Sequence, residues 1–156
     1  MNPLIQLGID PTRYDLAIAV SASGDTDARN PSGGASAVLA DFRTTRRFAS
    51  GATMVNVRFL DVMSIAAALH YHKTKLAEDN QVYRCLILSE NYDLVSEAQS
   101  GNRCPSFEWS MLDWFGNNGY KLTWQWESAV AQRKQLMAKA AYEMRTVVRG
   151  TAWAGN

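Results

Sequence analysis

Cysteine, proline, net charge and long apolar runs are all scarce in this chain, and each shortage excludes something. Two cysteines in 156 residues, Cys85 and Cys104, are too few for a disulfide scaffold, and no CxxC pair suggests a structural zinc site. That usage suits a reducing interior. The opening segment Met1–Gly8 has neither the basic cluster nor the long apolar stretch of a secretory leader, so a cytoplasmic location is expected. No apolar run approaches the roughly 18–20 residues that cross a bilayer, and no membrane partner is expected. Sixteen Lys+Arg stand against fifteen Asp+Glu, a net charge of +1, so attraction to phosphate must come from local clustering. The two histidines, His70 and His72, straddle the end of an expected helix and do not face each other, which argues against a metal site there.

What is present is enough apolar material for one core. Hydrophobic residues make up 47% of the chain and charged residues 20%, the balance of a single folded domain of this length. Residues 14–148 are expected to form that domain, with 1–13 an N-terminal extension and 149–156 a tail. In the stretch from Tyr14 to Ser23, Tyr14, Leu16, Ile18 and Val20 fall on one face and Ala17 and Ala19 on the other, which predicts a strand covered on both sides. The segment 24–34 is rich in turn formers, so a hairpin should lead to a second strand at Ala35–Phe42. A third strand follows at Thr44–Ser50, ended by Gly51.

From Thr53 the apolar period becomes helical and runs past Tyr71 without Pro or Gly. Val82–Leu88 is a short continuous apolar run, the pattern of a central strand. Ser89 is placed to cap a helix over Asp93–Gln99, closed by Gly101. Phe107–Phe115 reads as a further helix, Tyr120–Trp126 as a half-exposed strand and 128–148 as a last helix. Strands after a helical crossover should join the sheet in parallel. The expected fold is α/β: a five-stranded mixed sheet, three strands as an antiparallel meander and two parallel, with helices on both faces.

This order, together with several local stretches, resembles the ribonuclease H-like superfamily. Asn30–Leu39 is similar to its Gly-rich loop and second strand, Asp61–Leu69 to its acid-led helix, and Leu86–Val95 to its strand-to-helix corner. Trp124-Gln125-Trp126 and Leu136-Met137-Ala138 resemble its last strand and last helix. The resemblance implies phosphodiester hydrolysis by divalent metal ions held on four carboxylates. Two such ions roughly 3.5–4 Å apart repel, and converging anions must offset that repulsion.

Carried over by the resemblance, the four acid positions fall on Ser23 (or Ser21 if the loop is shifted), Asp61, Asn91 and Gln135. Only Asp61 is an anion, and a lone carboxylate holds Mg²⁺ weakly. Asn and Gln accept through a carbonyl but do not neutralise metal charge. The implied expectation is a catalytically degenerate domain that binds RNA, DNA or a protein partner and needs no cofactor. The alternative is a working nuclease, using Mg²⁺ or Mn²⁺, with Asp61 joined by relocated acids: Asp25, Glu90 or Glu127; strand alternation points Glu90 away from Asn91, so Glu90 would need a bulge or register shift to replace it. A second registration makes Asp10 catalytic, because Leu7-Gly8-Ile9-Asp10 resembles the first-strand motif of Holliday-junction resolvases; the plainer reading is an Asp-Pro turn.

Candidate phosphate contacts are Arg46 and Arg47, one on each face of a strand, and Arg133, Lys134, Arg145 and Arg149 on the last expected helix. Positions 134, 145 and 149 fall within about a third of a turn of each other on a helical projection. Trp109, Trp114, Trp124 and Trp126 are expected in the core, and Trp153 offers a contact for a partner.

Overall fold

The computed structural model describes residues 2–24, 32–53, 57–103 and 105–127. Asn2 opens a short helix, α1 (Pro3–Gln6), by accepting the Leu4 N–H on its side-chain oxygen. Strands β1 (Leu16–Gly24), β2 (Ser32–Asp41) and β3 (Thr45–Thr53) then form the expected antiparallel meander. The third strand does not end at Gly51, which pairs with Gly34 inside the ladder.

Helix α2 (Val57–Tyr71) and a π-helical turn (His72–Leu76) return the chain to β4 (Tyr83–Ser89), which lies parallel to β1. Helices α3 (Tyr92–Ser100) and α4 (Phe107–Gly116) precede β5 (Tyr120–Trp126), parallel to β4. The strands are ordered β3-β2-β1-β4-β5 across the sheet. Central placement of β1 and β4 explains why Leu16–Val20 and Cys85–Leu88 are buried without interruption.

Alternation along β1 divides the core in two. Leu16, Ile18 and Val20 meet Val62, Ile65 and Leu69 of α2, together with Trp109, Leu112 and Phe115 of α4. On the other face Ala17 and Ala19 join Val38, Ala40, Leu86 and Leu88 beneath Leu4, Leu7 and Ile9. The small alanines leave the volume into which the α1 segment packs, so residues read from sequence as an extension cover the second face of the sheet. Tyr14 packs with this second cluster rather than with Leu16 and Ile18.

Polar contacts tie the helical layer together. Glu97 of α3 pairs with Arg58 of α2 and accepts the Trp109 indole N–H of α4 at 2.8 Å. His72 Nδ1 and the Tyr120 hydroxyl lie 2.6 Å apart in the interior, joining the turn after α2 to β5. Left-handed backbone calls for glycine at Gly101, which ends α3 at φ 73°, and at Gly119, whose φ of 104° lets its carbonyl receive the Tyr83 N–H at 2.8 Å. A Cβ on Gly119 would stand 3.2 Å from the Gln81 carbonyl oxygen. Among the described residues no helix is long and apolar enough to cross a membrane.

Candidate functional site

The ends of β1 and β4 point the same way because the two strands are parallel, and this brings the carried-over positions together. The register Val20↔Ser89 sets Ser21 beside Glu90, and the Ser21 hydroxyl donates to Glu90 Oε2 at 2.8 Å. Asp61, on the second turn of α2, meets Asn91 from above: Asn91 Nδ2 approaches Asp61 Oδ2 at 3.4 Å, a long contact. Ser21, Asp61, Glu90 and Asn91 are thus one cluster at the strand ends.

Three details correct the sequence reading. Of the two first-strand candidates, Ser21 is the one at the cluster; Ser23 pairs with Gly34 two residues further along β1. Glu90 reaches the cluster with no change of register, because it has already left the β4 ladder and is no longer bound by strand alternation. The α3 cap is Asn91, not Ser89: Asn91 Oδ1 accepts the Leu94 N–H at 3.1 Å, while Ser89 Oγ accepts the Asn91 N–H at 3.0 Å. One asparagine therefore caps a helix with its oxygen and faces Asp61 with its nitrogen.

Burial dominates the electrostatics of the cluster. Asp61 is 2% exposed, and its Oδ1 has no hydrogen-bond partner among the described residues. Desolvation pushes its carboxyl up to about 7, opposed by the Asn91 amide and reinforced by the charge of Glu90. At neutral pH the cluster carries two carboxyl groups, one of them close to half protonated. Among the described residues no three His, Cys, Asp or Glu side chains converge to hold a metal ion. The donors among the described residues, two carboxyls, a hydroxyl and an amide already committed to a cap, do not fit a pair of divalent ions.

Other candidates lie elsewhere. Asp10 accepts both the backbone N–H and the hydroxyl of Thr12, at 2.9 and 2.7 Å. It closes an exposed turn before β1, at the opposite end of that strand from Ser21, and these hydrogen bonds lower its pKa. Arg46 stacks its guanidinium 4.3 Å from the Tyr71 ring centre and donates to the Tyr71 hydroxyl at 3.2 Å. Arg47, opposite Val38, is exposed. Glu127 follows β5, and its N–H donates to the Ser89 carbonyl at 3.0 Å. Asp25, Arg133, Lys134, Gln135, Arg145, Arg149, Trp153 and Cys104 lie outside the described residues.

The tryptophans divide in a way their spacing did not reveal. Trp109 is buried and Trp124 half-buried against it, ring centres 5.7 Å apart. Trp114 and Trp126 are exposed, against expectation. Trp126 shares a strand face with Trp124 but lies two residues further along, at the last position of β5. Its Nε1 donates to the Glu90 carbonyl at 3.1 Å, and its ring stands edge-to-face with Tyr92 at 5.6 Å.

No protein-family model matches the chain, and no curated protein matches its sequence. Solved structures do match. The N-terminal RNase H domain of a Mycobacterium tuberculosis protein, solved as a fusion with maltose binding protein, is 11% identical with a TM-score of 0.59, over 88% of this chain and 99% of that one. The foamy viral protease-reverse transcriptase in complex with an RNA/DNA hybrid is 12% identical with a TM-score of 0.60, over 90% of this chain and 21% of that one. LC11-RNase H1, also in complex with an RNA/DNA hybrid, is 9% identical with a TM-score of 0.53, over 83% and 96%. Strand order, the acid-bearing α2 and these likenesses agree: the chain has the ribonuclease H-like fold.

Proposed function

We propose that this chain is a nucleic-acid-binding module of the ribonuclease H-like fold that does not carry out two-metal hydrolysis. One observation carries the reading: where the strand ends and α2 converge, Ser21 and Asn91 occupy two of the four positions, and Asp61 is buried with a raised pKa. Among the described residues, too little negative charge gathers there to balance two divalent ions. Nucleic acid is the partner class because similar structures hold RNA/DNA hybrids. Phosphate contacts would come from Arg46 and Arg47 on β3 and from Arg133, Lys134, Arg145 and Arg149. No cofactor is required for binding of this kind.

The Ser21–Glu90 hydrogen bond favours a second reading, because it brings a carboxylate to the end of β1 where the first-strand acid is missing. In that case Asp61 and Glu90 would serve a Mg²⁺- or Mn²⁺-dependent nuclease. Incubation with an RNA–DNA hybrid and with single-stranded RNA, in either metal, separates the two. The expected result is no cleavage above an Asp61→Ala control, with hybrid binding that weakens steeply as salt rises. Metal-dependent cleavage lost in both Asp61→Ala and Glu90→Gln would replace the first reading with the second.

A further inference from the structure

We propose that Tyr92 and Trp126 form a stacking platform for an unpaired base beside the strand-end cluster, so that the nucleic acid taken there is single-stranded; this rests on the nucleic-acid reading above. Tyr92 is 62% exposed and Trp126 43% exposed, although each sits on a rigid element. Tyr92 is the first residue of α3, held by the Asn91 cap. Trp126 is the last residue of β5, paired with Ser89 and fixed by its indole N–H to the Glu90 carbonyl. The rings meet at 89°, making a corner in which a planar group can lie flat on one ring with its edge against the other.

Charge selects which part of a nucleotide fits that corner. Glu90 adjoins the platform, Asp93 follows Tyr92, and Glu127 follows Trp126. A phosphate placed beside Glu90, whose carbonyl accepts the Trp126 indole N–H, would be repelled, whereas a base is neutral and offers a π face. Bases inside a duplex have both faces covered by their neighbours, so only an unpaired base presents a face to the rings. The backbone of the strand would then run outward, toward solvent.

Fluorescence anisotropy with the full chain tests this using three labelled probes: a short oligothymidylate, an abasic strand of the same length and charge, and an RNA–DNA hybrid. The oligothymidylate should bind more tightly than the abasic strand by about 5- to 100-fold, the range of one stacked base. Trp126→Ala and Tyr92→Ala should each weaken oligothymidylate binding by about 5- to 100-fold and leave abasic binding unchanged, while Trp126→Phe stays close to the parent. Equal binding of the abasic strand and the oligothymidylate by the parent would overturn the platform and leave the nucleic-acid reading intact. Failure of all three probes to bind would overturn both. The abasic comparison uses the parent protein alone and does not depend on any variant folding.

Discussion

Asp61 concentrates the energetic tension of the cluster. An ionised carboxylate in that position is stripped of water by burial, has one oxygen without a partner among the described residues and has Glu90 for a neighbour, so the folded state favours the protonated form. Its folded pKa of about 7 lies above the ordinary carboxylate value of 3.8, so the folded state binds more protons between those limits and stability falls as pH rises through that window. The penalty is complete above about pH 7 and absent below 3.8. Asp61→Asn should therefore be more stable than the parent at pH 8, by about 2–4 kcal/mol, with the gap closing as pH falls toward 4. Urea denaturation at several pH values measures it; a gap that does not change with pH would contradict the assignment. Cys85 needs no such account, since full burial raises its thiol pKa and it packs as a small hydrophobe.

At the scale of elements, Asn91 couples the candidate site to a helix end. Asn91→Ala removes the α3 cap and should cost about 1 kcal/mol. Asn91→Asp keeps an acceptor for the Leu94 N–H and places a carboxylate against Asp61, so the cap survives while a third acid enters the cluster. Combined with Ser21→Asp, it should bind divalent metal more tightly than the parent, read by calorimetric titration of both with Mn²⁺. Absence of binding in a folded double variant would mean that the cluster geometry, and not only its charge, has departed from a metal site. Elsewhere the His72–Tyr120 contact links two elements far apart in sequence. Tyr120→Phe leaves the buried ring nitrogen without its partner, and thermal unfolding should register a loss of about 1–3 kcal/mol.

For the whole molecule, the sheet is stable only if both faces are covered, and the second face depends on a very short helix. Leu4 and Leu7 are each 1% exposed against Ala17, Ala19, Val38, Ala40, Leu86 and Leu88. Leu7→Ala should cost about 2–4 kcal/mol, since a buried leucine truncated to alanine leaves a cavity. Urea denaturation reads this directly. A change under about 0.5 kcal/mol, typical of surface positions, would show that the α1 segment does not contribute to the core.

Local patterning carried most of the architecture in the amino-acid sequence. Alternation in Leu16–Val20 and Tyr120–Trp126, helical spacing through Leu60–Tyr71 and the apolar run at Cys85–Leu88 determined the order and type of the elements, because side-chain periods of 2 and 3.6 follow from backbone geometry. The reading of Asp61 as the surviving acid also came from sequence. Tertiary structure decided the rest: that Ser21 and not Ser23 adjoins the cluster, that Glu90 turns toward β1, that Asn91 serves a cap and Asp61 together, and that Trp126 is exposed while Trp124 is not. These depend on the parallel register between β1 and β4 and on where β4 and β5 end. Residues tens of positions apart in the chain set both, beyond the reach of any local repeat.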